Sequence, residues 1–187
     1  MQVYVALLRG INVSGQRLIK MELLRKALET LEFQRIQTYI QSGNVIFQSG
    51  QTDIPTLESN ITALIQEQFG FDVTVIVITP KSLAFVVANN PINMAMIADP
   101  AQPYVAFLSE QPTIENITLL EGIDFGHDKL VVAEKFIYLT FKNGAGKTKL
   151  TNAVIESRLK VKATSRNWKT IHKLVEIVED NAYYSHH

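Results

Sequence analysis

The residue types that bind anions gather at two places in this sequence. The first group consists of Arg9, Asn12, Ser42, Gly43 and Asn44. A guanidinium offers a fork of N–H donors to a carboxylate or phosphate, carboxamides add donors, and glycine lets the backbone approach a ligand closely. This group predicts a site for a small anionic or phosphate-bearing ligand. The alternative is that Ser42, Gly43 and Asn44 only form a turn, with Arg9 as an outward cation.

The second group consists of Lys147, Arg166, Asn167 and Trp168. Lys147 lies in the polar stretch 142–148 and the other three lie in 164–169, and each stretch is predicted to lead into a helix. The N–H groups and the dipole at a helix start favour an anion. The alternative is two ordinary capped helix starts, with Trp168 filling a notch in the core. Whether the two groups form one site or two is open.

Other chemistries find no support in the sequence. Residues 146–148 read Gly-Lys-Thr, like the end of a P-loop, but the glycine that a P-loop needs at position 141 is Phe141. His127 and His172 have no second ligand at metal spacing, so no metal site is predicted. No serine lies in a hydrolase motif. We predict no cofactor and assign no catalytic residue, which leaves open whether the protein is an enzyme.

Composition limits the partners. The chain has 187 residues and no cysteine, and 18 Lys and Arg balance 18 Asp and Glu. A net charge of zero gives no general field for nucleic acid or an anionic membrane, so an anion site must be local. A chain without cysteine suits a reducing compartment, and a cytoplasmic location is predicted. The longest apolar runs are far too short to span a bilayer, so no membrane partner is expected.

The polar groups must be positioned by the strands and helices of an α+β fold. Apolar and amphipathic periods predict strand 3–8, a helix opened by Met21, strands 35–40 and 45–48, a helix from Asp53 to Gly70, and strand 72–79. This order is β-α-β-β-α-β. In a ferredoxin-like unit of this order, the end of the first strand and the turn between the second and third strands meet at one sheet edge. The first polar group is therefore expected to be assembled there.

The same order recurs after a connector rich in proline and asparagine. It comprises strand 104–108, helix 112–120, hairpin strands 129–133 and 136–141, helix 148–159, strand 161–163 and a last helix from Asn167. Residues 4–8 match 104–108, and residues 45–50 match 139–144. We interpret the chain as duplicated ferredoxin-like (β-α-β-β-α-β) units with connector and C-terminal helices. The predicted division is 1–80, connector 81–103 and 104–187, with the halves packed as one compact molecule.

Four motifs point to a known family. They are 7–13 (Leu-Leu-Arg-Gly-Ile-Asn-Val), Met21, 38–47 (Thr-Tyr-Ile-Gln-Ser-Gly-Asn-Val-Ile-Phe) and Thr164 with 166–170. With these motifs the chain resembles the domain-of-unknown-function family 1697, found mainly in bacteria. The resemblance implies a fold but no reaction, and it marks the signature positions Arg9, Asn12, Ser42, Gly43, Asn44, Arg166, Asn167 and Trp168. One departure is Ser14, where such proteins usually carry a second glycine.

Two further function classes compete with ligand binding. Strands apolar on both faces and a connector that contains methionine fit a module for protein–protein interaction or self-association. RNA binding is disfavoured, because strand 44–47 lacks the stacking aromatics of an RNA-recognition module and the net charge is zero. The oligomeric state is not predicted. His186 and His187 resemble the remains of a purification tag and are given no role.

Overall fold

The structure is a computed structural model that describes residues 1–99 and 102–183, with side chains described as far as residue 181. These residues form six α-helices and two four-stranded antiparallel sheets, so the predicted α+β class is confirmed. The chain divides into two compact units, Met1–Ala84 together with the chain from Leu174, and Phe85–Lys173. The predicted division at residues 80 and 103 stays a prediction. Pro100, His186 and His187 lie outside the described residues.

The first unit contains the first sheet. Its elements are β1 (Gln2–Leu8), α1 (Met21–Glu29), β2 (Gln34–Tyr39), β3 (Asn44–Ser49), α2 (Ile54–Phe69) and β4 (Val75–Ile78). The strand order is β2-β3-β1-β4, and β1 pairs with β3 from Gln2↔Ser49 to Leu7↔Asn44. The end of β1 therefore lies beside the start of β3. The loop after β1 and the turn before β3 leave the sheet at this common edge.

Local sequence signals define the helices of the first unit. The side chain of Asp53 accepts a hydrogen bond from the N–H of Thr56 and caps α2, and Gly70 ends α2 in a left-handed conformation with φ of 74°. Both predicted helix boundaries are thus found. The apolar stripes of α1 and α2, which include Leu24 and Leu57, are buried against one face of the sheet. We call this the helix-covered face and the opposite one the second face.

The second unit contains the second sheet. Helix α3 (Pro80–Ala88), whose residues as far as Ala84 belong to the first unit, opens the connector, which also includes a short 3-10 helix (Met94–Met96). There follow β5 (Pro103–Leu108), α4 (Ile114–Glu121), β6 (Lys129–Ala133), β7 (Phe136–Thr140), α5 (Asn152–Leu159), β8 (Ala163–Asn167) and α6 (Trp168–Tyr183). The residues of α6 from Leu174 belong to the first unit. The strand order is β6-β7-β5-β8, and helices α4 and α5 pack on its helix-covered face.

Two predicted elements of the second unit differ from the structure by four residues at one end. Helix α5 begins four residues after the predicted start, at Asn152 rather than Thr148. The reason is that the hydroxyl of Thr148 donates to Asp128 and accepts from the N–H of Leu150, while Thr151 caps the helix. Strand β8 covers 163–167, not 161–163. Residues 164–167 are polar, so the apolar pattern gives no indication of a strand there. These residues nevertheless all pair with β5.

Helix segments also contact the second face of each sheet. In the second unit the Tyr138 hydroxyl donates to the carbonyl of Val86 on α3 at 3.0 Å, and the rings of Phe85 and Phe136 are 6.0 Å apart. In the first unit the carboxamide of Gln37 donates to Asn181 on α6 at 3.4 Å. In the second unit, α3 thus helps to bury β7, which is apolar on both faces.

Replacing Tyr138 by phenylalanine tests the α3 contact. At neutral pH we expect the free energy of unfolding to fall by about 1 kcal/mol, because the buried carbonyl of Val86 loses its donor. Burial, with a smaller contribution from the charge of Glu134, raises the pKa of Tyr138. A phenol whose pKa is higher in the folded state stabilises the fold below its unfolded-state pKa of about 10, and this stabilisation is lost as the pH rises through the folded-state pKa.

The difference in the free energy of unfolding between Tyr138→Phe and the parent protein should therefore become smaller above about pH 10. Urea unfolding monitored by circular dichroism between pH 7 and pH 11 measures it. Tyr4 also titrates with a raised pKa because of burial, but it is present in both proteins and cancels in the difference. If this difference in the free energy of unfolding stays constant with pH, the result would contradict the hydrogen bond from Tyr138 to Val86.

Candidate functional site

The loop between β1 and α1 is bent by a run of left-handed backbone conformations. They occur at Gly10 (φ 67°), Asn12 (54°), Ser14 (50°), Gly15 (75°) and Arg17 (47°). The N–H of Asn12 donates to the carbonyl of Arg17, and the N–H of Gln16 donates to that of Val13, at 3.1 and 2.9 Å. Positive φ at both central residues of the tight turn 13–16 is typical of a type I′ turn. We call residues 9–17 the anion loop, after the class of ligand that the sequence predicts there.

Asn12 fastens the anion loop to its surroundings. Its Nδ2 donates to the carbonyls of Ile19 at 2.9 Å and Gln41 at 2.8 Å. Its Oδ1 accepts from the N–H of Ile19 at 2.8 Å. One carboxamide thus joins the loop to the start of α1 and to the turn 40–43. The loop and the turn lie together at the sheet edge, as the strand pattern predicts.

Gly43 and Asn44 hold the turn in place. Gly43 has φ of 78°, and a Cβ atom there would lie 2.7 Å from the Cβ of Leu8 and 2.9 Å from the Cδ1 of Ile11. Only glycine fits at this distance, and its carbonyl accepts from the N–H of Leu8 at 2.8 Å. Asn44 is fully buried, and its Nδ2 donates to the carbonyl of Tyr39 and to the hydroxyl of Ser42, both at 3.0 Å.

These contacts define what each residue of the first group can do. The Nδ2 hydrogens of Asn12 and Asn44 are donated within the protein, so both side chains position the backbone. Arg9 follows β1 directly and is half-buried. Sequence reasoning missed Arg17, whose Nη1 lies 3.7 Å from the position of a Cβ atom on Gly10. The only sequence signal for Arg17 is its position near the motif 7–13. Arginine is too common in loops for that position alone to identify a site residue.

Ser14 occupies a conformation that glycine adopts without strain. Its φ is 50°, in the left-handed region, which costs a residue with a Cβ atom about 1 kcal/mol relative to glycine. Ser14→Gly should therefore raise the free energy of unfolding by about 0.5–1 kcal/mol, after the greater flexibility of glycine in the unfolded chain is subtracted. Urea unfolding measures this change. The matched control is exposed Ser59→Gly in the middle of α2, which should lower the free energy of unfolding; a loss at Ser14 as well would contradict the assigned turn.

The second group is built into the fold at the junction of β8 and α6. The Oδ1 of Asn167 accepts from the N–H of Thr170 at 2.7 Å at the start of α6. Arg166 is buried, and its Nη1 donates to the hydroxyl of Thr164 and the carbonyl of Ser165, both at 2.9 Å. Burial lowers the pKa of the Arg166 guanidinium to about 10. Trp168 is buried too, and its ring meets that of His172 edge-on at 5.2 Å.

Lys147 has a different setting from the other members of the second group. The ends of β7 and β8 do lie at one edge, because Thr140 pairs with Pro103 and Asn167 pairs with Tyr104 on β5. The stretch 142–148, however, does not open a helix directly. Asp128 holds both ends of this stretch by accepting from the N–H of Lys142 and the hydroxyl of Thr148, and Lys147 is exposed.

Two other kinds of feature are absent from residues 1–99 and 102–183. In these residues no group of three or more His, Asp or Glu side chains is arranged to hold a metal ion. None of the helices described is both long enough and apolar enough to cross a bilayer.

The fold and the first site define an α+β protein with two four-stranded antiparallel sheets and a clamped polar loop at one sheet edge. Residues 1–138 match the family described as "Protein of unknown function (DUF1697)", and the chain belongs to this family, as its motifs predict. The solved structure of the conserved bacterial protein SP0830 from Streptococcus pneumoniae is similar, with a TM-score of 0.74, 23% identity, and coverage of 95% of this chain and 98% of that one. At this identity the likeness shows the fold. No curated protein matches the sequence.

Proposed function

We propose that the first unit binds a small anionic or phosphate-bearing ligand at the anion loop. The observation that carries the proposal is the run of five left-handed residues between Gly10 and Arg17, held in place by Asn12. Gly10 and Gly15 adopt this conformation without strain, but Ser14 and Arg17 do so at a cost, and strained backbone concentrates at ligand sites. Successive N–H groups in tightly turned backbone form concavities that attract anions.

The residues of the site have separate roles in this proposal. Arg9 and Arg17 supply positive charge, and the N–H groups at the tip of the loop supply uncharged donors. Asn12, Gly43 and Asn44 fix the loop and the turn, and the Ser42 hydroxyl supports Asn44. Four residues of the second unit were also predicted to bind a ligand, and this role stays a prediction. Those residues are Lys147, Arg166, Asn167 and Trp168.

Thermal unfolding with inorganic phosphate and pyrophosphate tests the proposal. A ligand at ten times its Kd stabilises the folded protein by about 1.4 kcal/mol, which raises Tm by about 3–5 °C for a chain of this size. Arg9→Ala and Arg17→Ala should lose most of this rise at matched ionic strength. The control is Arg158→Ala, an exposed arginine in the last turn of α5, which should keep it. An equal rise in all three variants would refute the assignment of the site.

A protein partner is the second candidate, and exposed apolar side chains near the same loop favour it. Val13 and Leu18 are 53% and 66% exposed, and Leu23 on α1 is 49% exposed. Single exposed apolar residues are ordinary, but several close together in sequence fit a contact surface. Sedimentation velocity of the parent protein and of Leu18→Ser tests self-association. A monomer at all concentrations in both proteins would count against it.

We also infer that the two sheets are duplicated ferredoxin-like units. Each has the element order β-α-β-β-α-β and the corresponding strand order, β2-β3-β1-β4 or β6-β7-β5-β8. A shared detail adds support. Glu58 on α2 accepts from the N–H of Val77 on edge strand β4, and Glu156 on α5 accepts from that of Ala163 on edge strand β8. Each glutamate follows its helix cap, Asp53 or Thr151, by the same five positions.

The ladder registers refine the proposed internal alignment. Tyr4 pairs with Phe47 on β3, whereas Tyr104 pairs with Leu139 on β7. Phe47 is therefore equivalent to Leu139, and the sequence match of 45–50 with 139–144 is shifted by two residues. A shift of two keeps every side chain on the same face, so the apolar pattern did not reveal it.

The cytoplasmic location stays a prediction.

A further inference from the structure

The second unit contains a pocket outside both predicted polar groups. Its volume is about 400 Å³, within the range of about 300–1,000 Å³ that is usual for small-molecule sites. One wall is the second face of the β6–β7 hairpin, where Lys129 pairs with Thr140 and Val131 pairs with Tyr138. The connector forms the other wall through Ile92, Asn93, Met96 and Ile97.

The pocket is lined by apolar side chains and by basic side chains. Ile92, Met96, Ile97 and Val131 supply apolar surface. Lys129, Lys142 and His127 supply basic groups, and no aspartate or glutamate is among the lining residues that the structure describes. The nearest acid in sequence, Asp128, is engaged with the N–H of Lys142 and the hydroxyl of Thr148. A ligand with one negative charge and an apolar body is complementary to these walls.

We propose that this pocket binds a small carboxylic acid with an unbranched apolar chain. The carboxylate pairs with Lys129 and Lys142, and the chain packs along Val131 and the side chains of the connector. Met96 is 81% exposed, and Val131 is 45% exposed although it lies on a strand. An apolar chain would cover both, and methionine adapts its shape to such a partner. The site is separate from the anion loop in sequence and differs from it in ligand chemistry.

Titration of the full-length protein with sodium octanoate, followed by calorimetry and by amide NMR shifts, tests the proposal. Octanol and octylamine have the same chain without the carboxylate. We expect saturable binding of octanoate, with shifts at the amides of Lys129, Val131 and Met96. Octanol should bind at least about tenfold more weakly, and octylamine should not bind.

Matched variants assign the site. Lys129→Ala combined with Lys142→Ala should weaken octanoate binding about tenfold. Lys135→Ala, an exposed lysine in the turn between β6 and β7, should leave it unchanged, and so should Arg17→Ala at the anion loop. Equal binding of octanoate, octanol and octylamine, or an unchanged affinity in the double variant, would overturn the proposal. Loss of phosphate binding in Arg17→Ala has no bearing on this result, so the two proposals fail separately.

Discussion

Replacing Gly43 by alanine is expected to lower the free energy of unfolding by about 3 kcal/mol. A Cβ atom at this position would lie 2.7 Å from the Cβ of Leu8 and 2.9 Å from the Cδ1 of Ile11, and both neighbours are fully buried. Neither can move without disturbing the core at the end of β1. Overpacking of this kind costs about 1–3 kcal/mol, and φ of 78° adds about 1–2 kcal/mol for a residue with a Cβ atom.

Gly70→Ala is the matched control for Gly43→Ala. Gly70 lies in the same unit with φ of 74°, but apart from its own chain neighbours no described residue has an atom within 4 Å of its Cβ position. Its replacement should lower the free energy of unfolding by only about 1 kcal/mol, which is the conformational part. Urea unfolding followed by circular dichroism measures both changes. Equal losses at the two positions would mean that the turn 40–43 does not press against β1.

The second large effect is expected for Asn12→Ala. This change removes two donated hydrogen bonds and one accepted bond, to Ile19 and Gln41. At about 1 kcal/mol for each bond, we expect the free energy of unfolding to fall by about 3 kcal/mol. The loop should also lose its fixed shape, because alanine tolerates φ of 54° less readily than asparagine does. Phosphate binding should be lost together with the shape.

Hydrogen exchange locates the effect of Asn12→Ala. The amide of Ile19 donates to Asn12 in the parent protein, so it should exchange faster in the variant. Asn116→Ala is the control, because the Asn116 carboxamide makes a single bond, to the carbonyl of Leu159 at 3.2 Å. That variant should lose about 1 kcal/mol and leave Ile19 protected. Unchanged exchange at Ile19 in Asn12→Ala would contradict the clamp.

The parts of the fold that follow from local signals could be predicted from the sequence. Asp53 and Gly70 mark the ends of α2, and the unbroken apolar run of β1 predicts a strand buried on both faces. The position of the anion loop beside the turn 40–43 follows from strand order. Strand β8 and the start of α5 could not be predicted from apolar periodicity. Polar residues that pair with β5 hide the strand, and Thr148 is held by Asp128, 20 positions earlier.

The roles of individual site residues depend on contacts that no local pattern contains. Asn12 and Asn44 were predicted to donate to a ligand, yet the Nδ2 of Asn12 reaches the carbonyl of Gln41, 29 positions away. The close approach of Gly43 to Leu8 and Ile11 depends on the packing of the turn against β1. The pocket of the second unit depends on the path of the connector over β6 and β7. The sequence therefore predicts that the loop and the turn lie together, and tertiary contacts define the role of each residue.

An amide NMR titration of the parent protein with inorganic phosphate tests the central claim, that the clamped anion loop is a binding site, most directly. We predict saturable shifts at the amides of Gly10, Ser14 and Gly15 and none at Gly70, and we predict that these shifts disappear in Arg17→Ala. Shifts that do not saturate, that spread evenly over exposed amides, or that persist unchanged in Arg17→Ala would contradict the claim.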